Sequence, residues 1–492
     1  MKSIALSIQE TAKQSPDKIA LIIGDARYTY ETLAAMNRRV ASFLEKNGIS
    51  RSDRVIVEAD HSFAYIAFEY GVQLYGATFV PLEKLTPSRR MEEIAAELTA
   101  AKCVTLTARD DLEGAWALDE ILSEIERYPD DYVPTEPDGD SLAEILFTTG
   151  TTGKSKGVMV SFENQVNIAL AGIETTNIQS DNVWLIPTPM NHAAGLRKVH
   201  IAMAVGSTSC LLDGFRNFKL FFQTIEEAGV TSLYLPPSAI HLLLAFASKN
   251  FAALNGKIRF IYSSSTAYPE PDKEKMRALM PDTYMYNCFG CSEAGVVCTD
   301  EFCVSGGSKH KGSVGKPNSY SEIVLLDEDG NEMANATAEN PGLVAIRSKS
   351  VMKGYWNEPE QTAKALKNGM LVMSDLCYFS EDGELLLVGR SNDTINLGGF
   401  KVAPVEVEEV VMRAECVDEC LLVPVTKDGT VTALKLLVVL ADGKKLDEKE
   451  IRTIISENLE PYKMPKQIVV IDEILKTFNG KINRKEMIAK HA

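Results

Sequence analysis

A chain of 492 residues exceeds what one hydrophobic core usually holds, so a large domain with a smaller companion is the natural expectation. Its 45% apolar and 24% charged residues are the mixture of an ordinary soluble globular protein. A net charge of −17 excludes a general nucleic-acid or anionic-membrane surface, so positive charge for any phosphate has to be concentrated locally.

The segment Met1-Lys2-Ser3-Ile4-Ala5-Leu6-Ser7 lacks the apolar core of a signal peptide, and no run approaches the roughly eighteen apolar residues of a membrane span. A cytoplasmic protein without a membrane span is therefore expected. Residues 1–130 alternate strand and helix. Ile19 to Ile23 and Arg27 to Tyr30 flank the turn Gly24-Asp25. A helix from Tyr30 to about Asn47 carries Leu33, Met36, Val40 and Leu44 on one face and stops at Gly48. Strands at Arg54 to Glu58 and Thr78 to Leu82 alternate with helices at His61 to Tyr75 and Ser88 to Thr99. Such alternation implies an α/β fold with mostly parallel sheets covered by helices.

A Pro-, Asp- and Gly-rich connection, 131–141, leads into the short apolar strand Leu142 to Phe147 and then Thr148-Thr149-Gly150-Thr151-Thr152-Gly153-Lys154-Ser155-Lys156-Gly157. Glycines let the backbone turn its N–H groups inward, hydroxyls donate hydrogen bonds and lysines add charge, so the run suits a polyanion. Gly153-Lys154-Ser155 copies the end of a nucleoside-triphosphatase P-loop, but the glycine required five residues before Gly153 is Thr148, and the spacing fails. A plain Gly/Thr linker would lack the preceding strand and the paired lysines.

The βα rhythm continues to about residue 300, with strands at Val183 to Pro187, Thr231 to Leu235 and Ile258 to Ser263 and a helix from Pro237. From about 310 hairpins and short strands take over, with turns at Gly312 to Pro317 and Asp327 to Gly330, a turn at Ser380 to Gly383 and a strand at Glu384 to Val388. After Arg390 the pattern restarts: a helix from Pro404 to Arg413, strands at Cys420 to Val425 and Thr432 to Leu440 around Lys427-Asp428-Gly429, a helix at Asp447 to Asn458, and a polar tail. That is a domain-sized α+β unit, and no internal repeat or low-complexity tract interrupts the chain. Nine cysteines, an odd count, fit reduced thiols. Cys288, Cys291, Cys298 and Cys303 could by count hold zinc, but the second pair is spaced too widely for a knuckle, and buried free thiols are the plainer reading.

The run from Thr148 to Gly157 resembles the phosphate loop of the adenylate-forming superfamily of acyl-CoA synthetases, peptide-synthetase adenylation domains and luciferases, with Ser155 where a proline is usual. Further pieces similar to that family arrive in its order, among them Gly76 to Leu82. The resemblance implies a large N-terminal domain, 1–390, of mostly parallel sheets plus a small β-barrel-like subdomain, and a mobile α+β C-terminal domain, 391–492. It implies ATP, Mg²⁺ and coenzyme A as the reaction's partners, with a carboxylic acid as substrate.

By that resemblance Thr148, Thr149, Gly150, Thr151, Thr152, Gly153 and Lys156 would hold the phosphates. In Asn287-Cys288-Phe289-Gly290-Cys291-Ser292-Glu293, Phe289 would stack on adenine, Ser292 would meet phosphate and Glu293 would bind Mg²⁺. Asp375 would take the ribose hydroxyls and Arg390 would contact ribose and phosphate, although Met373-Ser374 replace a Thr-Gly pair and Leu343 stands where Gly-Glu is usual. Lys481, in Asn479-Gly480-Lys481, would be the catalytic cation, with Leu475 in place of a proline ahead of it. His192 would line the carboxylate entrance. Cys291 and Arg197 would face the acyl group, Arg197 toward a second carboxylate or polar tail, though an exposed arginine beside solvent or an acid is the simpler reading. No aspartate stands at Ala193-Ala194-Gly195 to hold an ammonium, which argues against amino acids, and Ser263 to Ala267 replace a Gly-Gly-Ala wall. Asn392 would be the hinge, and in the rotated state Gly399 would admit a pantetheine arm and Lys401 meet a CoA phosphate. Two alternatives remain: a stand-alone enzyme that loads a phosphopantetheinyl carrier protein, and a nucleotide-binding regulator without chemistry.

Overall fold

The chain opens with a helix that a search for signal peptides passes over. Ile4–Gln14 is capped by Ser3, whose hydroxyl accepts the Leu6 N–H, and Ile4, Ala5, Ile8 and Ala12 are buried at helical spacing. The computed structural model describes all residues except 150–154, 216, 266–267, 309, 392, 394, 398–399, 428–429, 460, 477–481 and 492, together with all side chains among these and those of 149, 155, 396, 400, 401, 427 and 430.

Two large sheets carry the first 320 residues, and both are mostly parallel in the described residues. A nine-stranded sheet contains Ile19–Ile23, Thr208–Leu211, Val183–Ile186, Ser232–Tyr234, Phe260–Ser263 and Tyr284–Cys291 as parallel neighbours. A seven-stranded sheet holds Arg54–Glu58, Thr78–Leu82 and Lys102–Thr105 in parallel. Continuous apolar strands such as Ile-Ala-Leu-Ile-Ile at 19–23 are what a sheet buried on both faces requires. Five strands of the 310–390 region form a separate antiparallel sheet, from Glu322–Leu326 to Leu385–Arg390, while Lys316–Pro317 joins the nine-stranded sheet and Gly354–Tyr355 the seven-stranded one.

Beneath the seven-stranded sheet lies a polar cluster without solvent. His200 Nε2 is 2.8 Å from Glu69 Oε1 and 3.9 Å from Glu144 Oε2, and Gln165 donates to Glu144 at 3.4 Å. Glu69 Oε2, Glu144 Oε1, His200 Nδ1 and the Tyr70 hydroxyl have no hydrogen-bond partner among the described residues. Burial pushes the Glu69 carboxyl well above its ordinary 4.5 and pulls His200 from 6.5 to about 4, so the pair is held as a carboxylic acid beside a neutral imidazole. Above pH 4.5 the Glu69 contribution to stability falls as pH rises toward the raised folded value, while between about 4 and 6.5 the His200 contribution rises. Glu69→Gln, which keeps an uncharged hydrogen-bonding group, is expected to reduce the loss of stability as pH rises from 4.5. Urea unfolding across that range checks it, and a slope equal to the parent's would refute the assignment.

Beyond residue 390 the chain builds its own core from Val402, Val407, Val411, Leu422, Leu436 and Ile451. The helix Pro404–Val411 packs with Val417–Lys427 and Thr430–Leu440, which pair antiparallel, and Gln467–Val470 adds in parallel. The tail read as merely polar is structured: it supplies that third strand and the helix Arg484–His491, whose Met487 is fully buried. The helix buries only Met487 fully and exposes Lys485, Glu486 and Lys490, which is why periodicity does not reveal it. Asp418 of this unit lies 3.6 Å from His241, which is in turn 2.9 Å from Asp272. Gly389 also packs closely against Ala403: a Cβ there would lie 3.2 Å from the Ala403 Cβ. Among the described residues no helix is long and apolar enough to cross a membrane.

Candidate active site

The phosphate-loop candidate is flanked by two paired strands. Leu142–Thr149 pairs antiparallel with Ser155–Ser161, placing Thr148 opposite Lys156 and Phe147 opposite Gly157. Gly150, Thr151, Thr152 and Gly153 lie outside the described residues, as does the Thr149 side chain. Lys156 Nζ lies 3.2 Å from Gln361 Oε1 and 4.9 Å above the Tyr355 ring. The Tyr355 hydroxyl donates to Glu293 Oε1 at 2.8 Å. Burial and then the neighbouring Glu293 push this phenol upward, so it remains a donor. One aromatic side chain thus ties the loop lysine to a carboxylate 137 positions later, the interval from 156 to 293. Glu293 Oε2 has no protein partner among the described residues, and a carboxylate oxygen with a free coordination site fits a hard cation such as Mg²⁺.

Glu293 follows a sharp return between Tyr284–Cys291 and Gly295–Glu301. A Cβ on Gly290 would fall 1.9 Å from the Gly295 carbonyl oxygen, so the backbone approach there admits only glycine. Phe289 is half-buried opposite Cys298 on this strand pair. The carbonyls of the return are held by Arg197, which donates to Cys291 at 3.2 Å and to Ser292 at 2.5 Å. At 4% exposure Arg197 is not the solvent-facing residue the sequence suggests, and two of its nitrogens serve backbone oxygens. Half-buried Cys291 has its thiol pushed upward by burial and then by Glu293, and burial takes the Cys288 thiol up to about 12. All nine cysteines are free, and no group of three or more metal-ligating side chains occurs among the described residues.

The ribose candidates are cross-strand partners. Met370–Phe379 and Leu385–Arg390 put Asp375 directly opposite Arg390, with Arg390 Nε 3.2 Å from Asp375 Oδ1. Asp375 is 3% exposed and Arg390 is more open. The departures at Met373, Ser374 and Leu343 are accommodated by pairing: Ser374 accepts the Ser391 N–H at 2.7 Å, and Leu343 sits in register with Leu376. Asn392, Gly399 and Lys481 lie outside the described residues. Lys401 is described only in its backbone, opposite Asn396 in a two-stranded ladder. Lys481 is approached from both sides by described structure, since Lys476 bridges to Ile482 and Leu475 accepts the Asn483 N–H at 2.8 Å.

The acyl side is built on the helix Ala193–Ala204, for which His192 is the N-cap residue with extended backbone. Asn191 and His192 meet at 3.2 Å. Gly195 is packed so tightly under the preceding loop that a Cβ would lie 2.4 Å from the Pro189 carbonyl oxygen. Farther along, Lys198 is 5% exposed, with Nζ 4.7 Å from the centre of the Tyr234 ring and 4.3 Å from that of Tyr262. The Tyr234 hydroxyl meets the hydroxyls of Ser264 at 3.3 Å and Ser265 at 3.2 Å. Ser265 holds φ at 94°, a strained region for a residue with a side chain. Tyr355 and Lys198 were both missed from the sequence. An isolated tyrosine advertises no charge, and the burial of one lysine beside an arginine depends on strands 36 and 64 residues away.

Comparison with known proteins gives a consistent result. Residues 8–356 match the family model described as AMP-binding enzyme, and 406–481 match the AMP-binding enzyme C-terminal domain. Feruloyl-CoA synthase of Amycolatopsis sp is 26% identical over 97% of this chain and 96% of its own length. A linear gramicidin synthase of Brevibacillus parabrevis is 24% identical over 98% of this chain, which spans only 9% of that protein. ATP-bound MatB from Rhodopseudomonas palustris shares the fold at a TM-score of 0.88 with 22% identity, covering 99% of each chain.

Proposed function

We propose, since the chain belongs to the AMP-binding enzyme family, that it is an AMP-forming acid–CoA ligase: the carboxylate displaces pyrophosphate from the α-phosphorus of ATP to give acyl-AMP, and the CoA thiol then takes the acyl group and releases AMP. The observation that carries this reading is Tyr355 linking Lys156 to Glu293, because it brings a phosphate-binding cation and a metal-binding carboxylate to one place. A relative of nearly equal length named as a CoA synthase supports CoA over a carrier protein as acceptor.

An anionic carboxylate can approach a triphosphate only if the repulsion is cancelled. Mg²⁺ held at Glu293 would supply part of that charge by polarising phosphate oxygens. Lys156 and the hydroxyls of the loop, Thr148, Thr149, Thr151 and Thr152, position the phosphates, with Gly150 and Gly153 giving close approach. Phe289 covers the adenine, Ser292 contacts phosphate, and Asp375 with Arg390 fixes the ribose. His192 stands at the entrance for the acid. The domain border lies near residue 390, and a turn about Asn392 exchanges Lys481 for the segment of Gly399 and Lys401 between the two half-reactions. Nine free cysteines and the use of ATP and CoA fit the reducing cytoplasm.

Pyrophosphate–ATP exchange over a panel of carboxylic acids tests the first step, and acyl transfer to free CoA against a phosphopantetheinyl carrier tests the second. Exchange with at least one acid and transfer to free CoA are expected. ATP binding with no exchange for any acid would instead indicate a regulator.

A further inference from the structure

We infer that Lys198 selects the acid: the amine is the receptor for a second, distal carboxylate, so the substrate of the proposed ligase is a dicarboxylic acid. This rests on the reading of the chain as an acid-activating enzyme and specifies the acid's chemical class.

The position of Lys198 is what a substrate-binding group requires. Ser232–Tyr234, Phe260–Ser263 and Tyr284–Cys291 are neighbouring parallel strands, and Tyr234, Tyr262 and Ser263 lie at or beside their carboxyl ends. Ligands of open α/β sheets bind along that edge. His192, Ser292 and Glu293 follow the carboxyl ends of strands in the same sheet, and Lys198 extends from the helix that His192 begins. The adjacent Arg197 already holds the carbonyls of Cys291 and Ser292, so helix, adenine segment and Lys198 form one wall.

Lys198 is also incomplete as it stands. No carboxylate or hydrogen-bond acceptor meets Nζ among the described residues; only the faces of Tyr234 and Tyr262 do. Two rings stabilise an ammonium but do not neutralise it, and a buried cation without a counter-ion is costly. Burial, assisted by Arg197, lowers the amine to about 7, while the charge of Cys288 would act in the opposite sense. An arriving anion reverses that loss, which makes the amine a charge receptor whose counter-charge comes with the ligand. Ser265, whose hydroxyl meets that of Tyr234, adds a strained polar residue beside it. A monocarboxylic acid would leave this end of the site unpaired.

The test compares matched acids, succinate with butyrate, adipate with hexanoate and terephthalate with 4-methylbenzoate, in the full-length protein. In pyrophosphate exchange the dicarboxylate of the preferred pair is expected to lead in kcat/KM by about tenfold to a hundredfold, the scale of a hydrogen bond to a charged group. Lys198→Met, which fills the same space without charge, is expected to reverse that preference while leaving the KM for ATP unchanged. An unchanged melting midpoint certifies its fold, and Lys198→Arg is expected to retain the preference in part. Equal preference in parent and Lys198→Met, with exchange intact, would overturn the inference and leave the ligase reading standing. If no acid supports exchange, the ligase reading falls. Calorimetric titration of the ATP-loaded protein with the same acids then decides the role of Lys198: dicarboxylate binding lost in Lys198→Met supports it, and binding that is equal or absent in both refutes it.

Discussion

Lys481→Ala is expected to slow acyl-adenylate formation by about two to three orders of magnitude, the loss seen when one preorganised charge contact to a transition state is removed. Thioester formation from supplied acyl-adenylate is expected to stay within a few-fold of the parent. The asymmetry follows from the work assigned to the ammonium: negative charge gathers around the α-phosphorus in the first half-reaction, whereas the second involves no attack on phosphorus. The described structure on either side has contacts of its own. Lys476 and Ile482 are bridged, Lys476 pairs with Glu419 at 2.6 Å, and the Leu475 N–H reaches the Met487 sulfur at 3.5 Å. The last contact also explains the departure at 475, since a proline has no N–H to donate. Single-turnover measurements of both half-reactions check the prediction; equal losses in the two would remove Lys481 from its role.

The second large effect is expected at Asp375. Two ribose hydroxyls donating to one carboxylate contribute about 1.5–3 kcal/mol each, so Asp375→Ala should raise the KM for ATP by about two orders of magnitude or more. A nucleotide lacking the 2′-hydroxyl provides the control. The parent is expected to discriminate strongly against 2′-deoxy-ATP, and the variant hardly at all, because the partner of that hydroxyl is already gone. Undiminished discrimination in the variant would move the ribose contact elsewhere. Arg390 remains opposite the altered position through the backbone ladder, so the strand pair itself does not rely on the carboxylate.

Sequence reading reached the strands and helices whose apolar residues run in blocks closed by Gly, Asp or Pro, such as Arg54–Glu58 and Tyr30–Lys46. It lost elements that bury only a stripe, namely Ile4–Gln14 and Arg484–His491. In the candidate site, the charged residues could be named in advance because phosphate and ribose chemistry demands particular charges in a particular order. Arg197 was not, since its burial is decided by carbonyls at 291 and 292 that no pattern near residue 197 announces. Lys198 fails for the same reason: its slot is made by rings from two other strands.

The raised thiols near the adenine segment have a chemical corollary for an enzyme of this kind. A mixed anhydride is an electrophile that a protein thiolate can attack, and self-acylation would end turnover. Only the ionised form of a thiol attacks efficiently, and at pH 7 a group lifted to about 12, as Cys288 is, is ionised in roughly one molecule in a hundred thousand. Cys291, beside the Glu293 carboxylate, is lifted by the same burial. Apolar packing therefore acts here as chemical protection, reserving the activated acyl group for a nucleophile that arrives from outside.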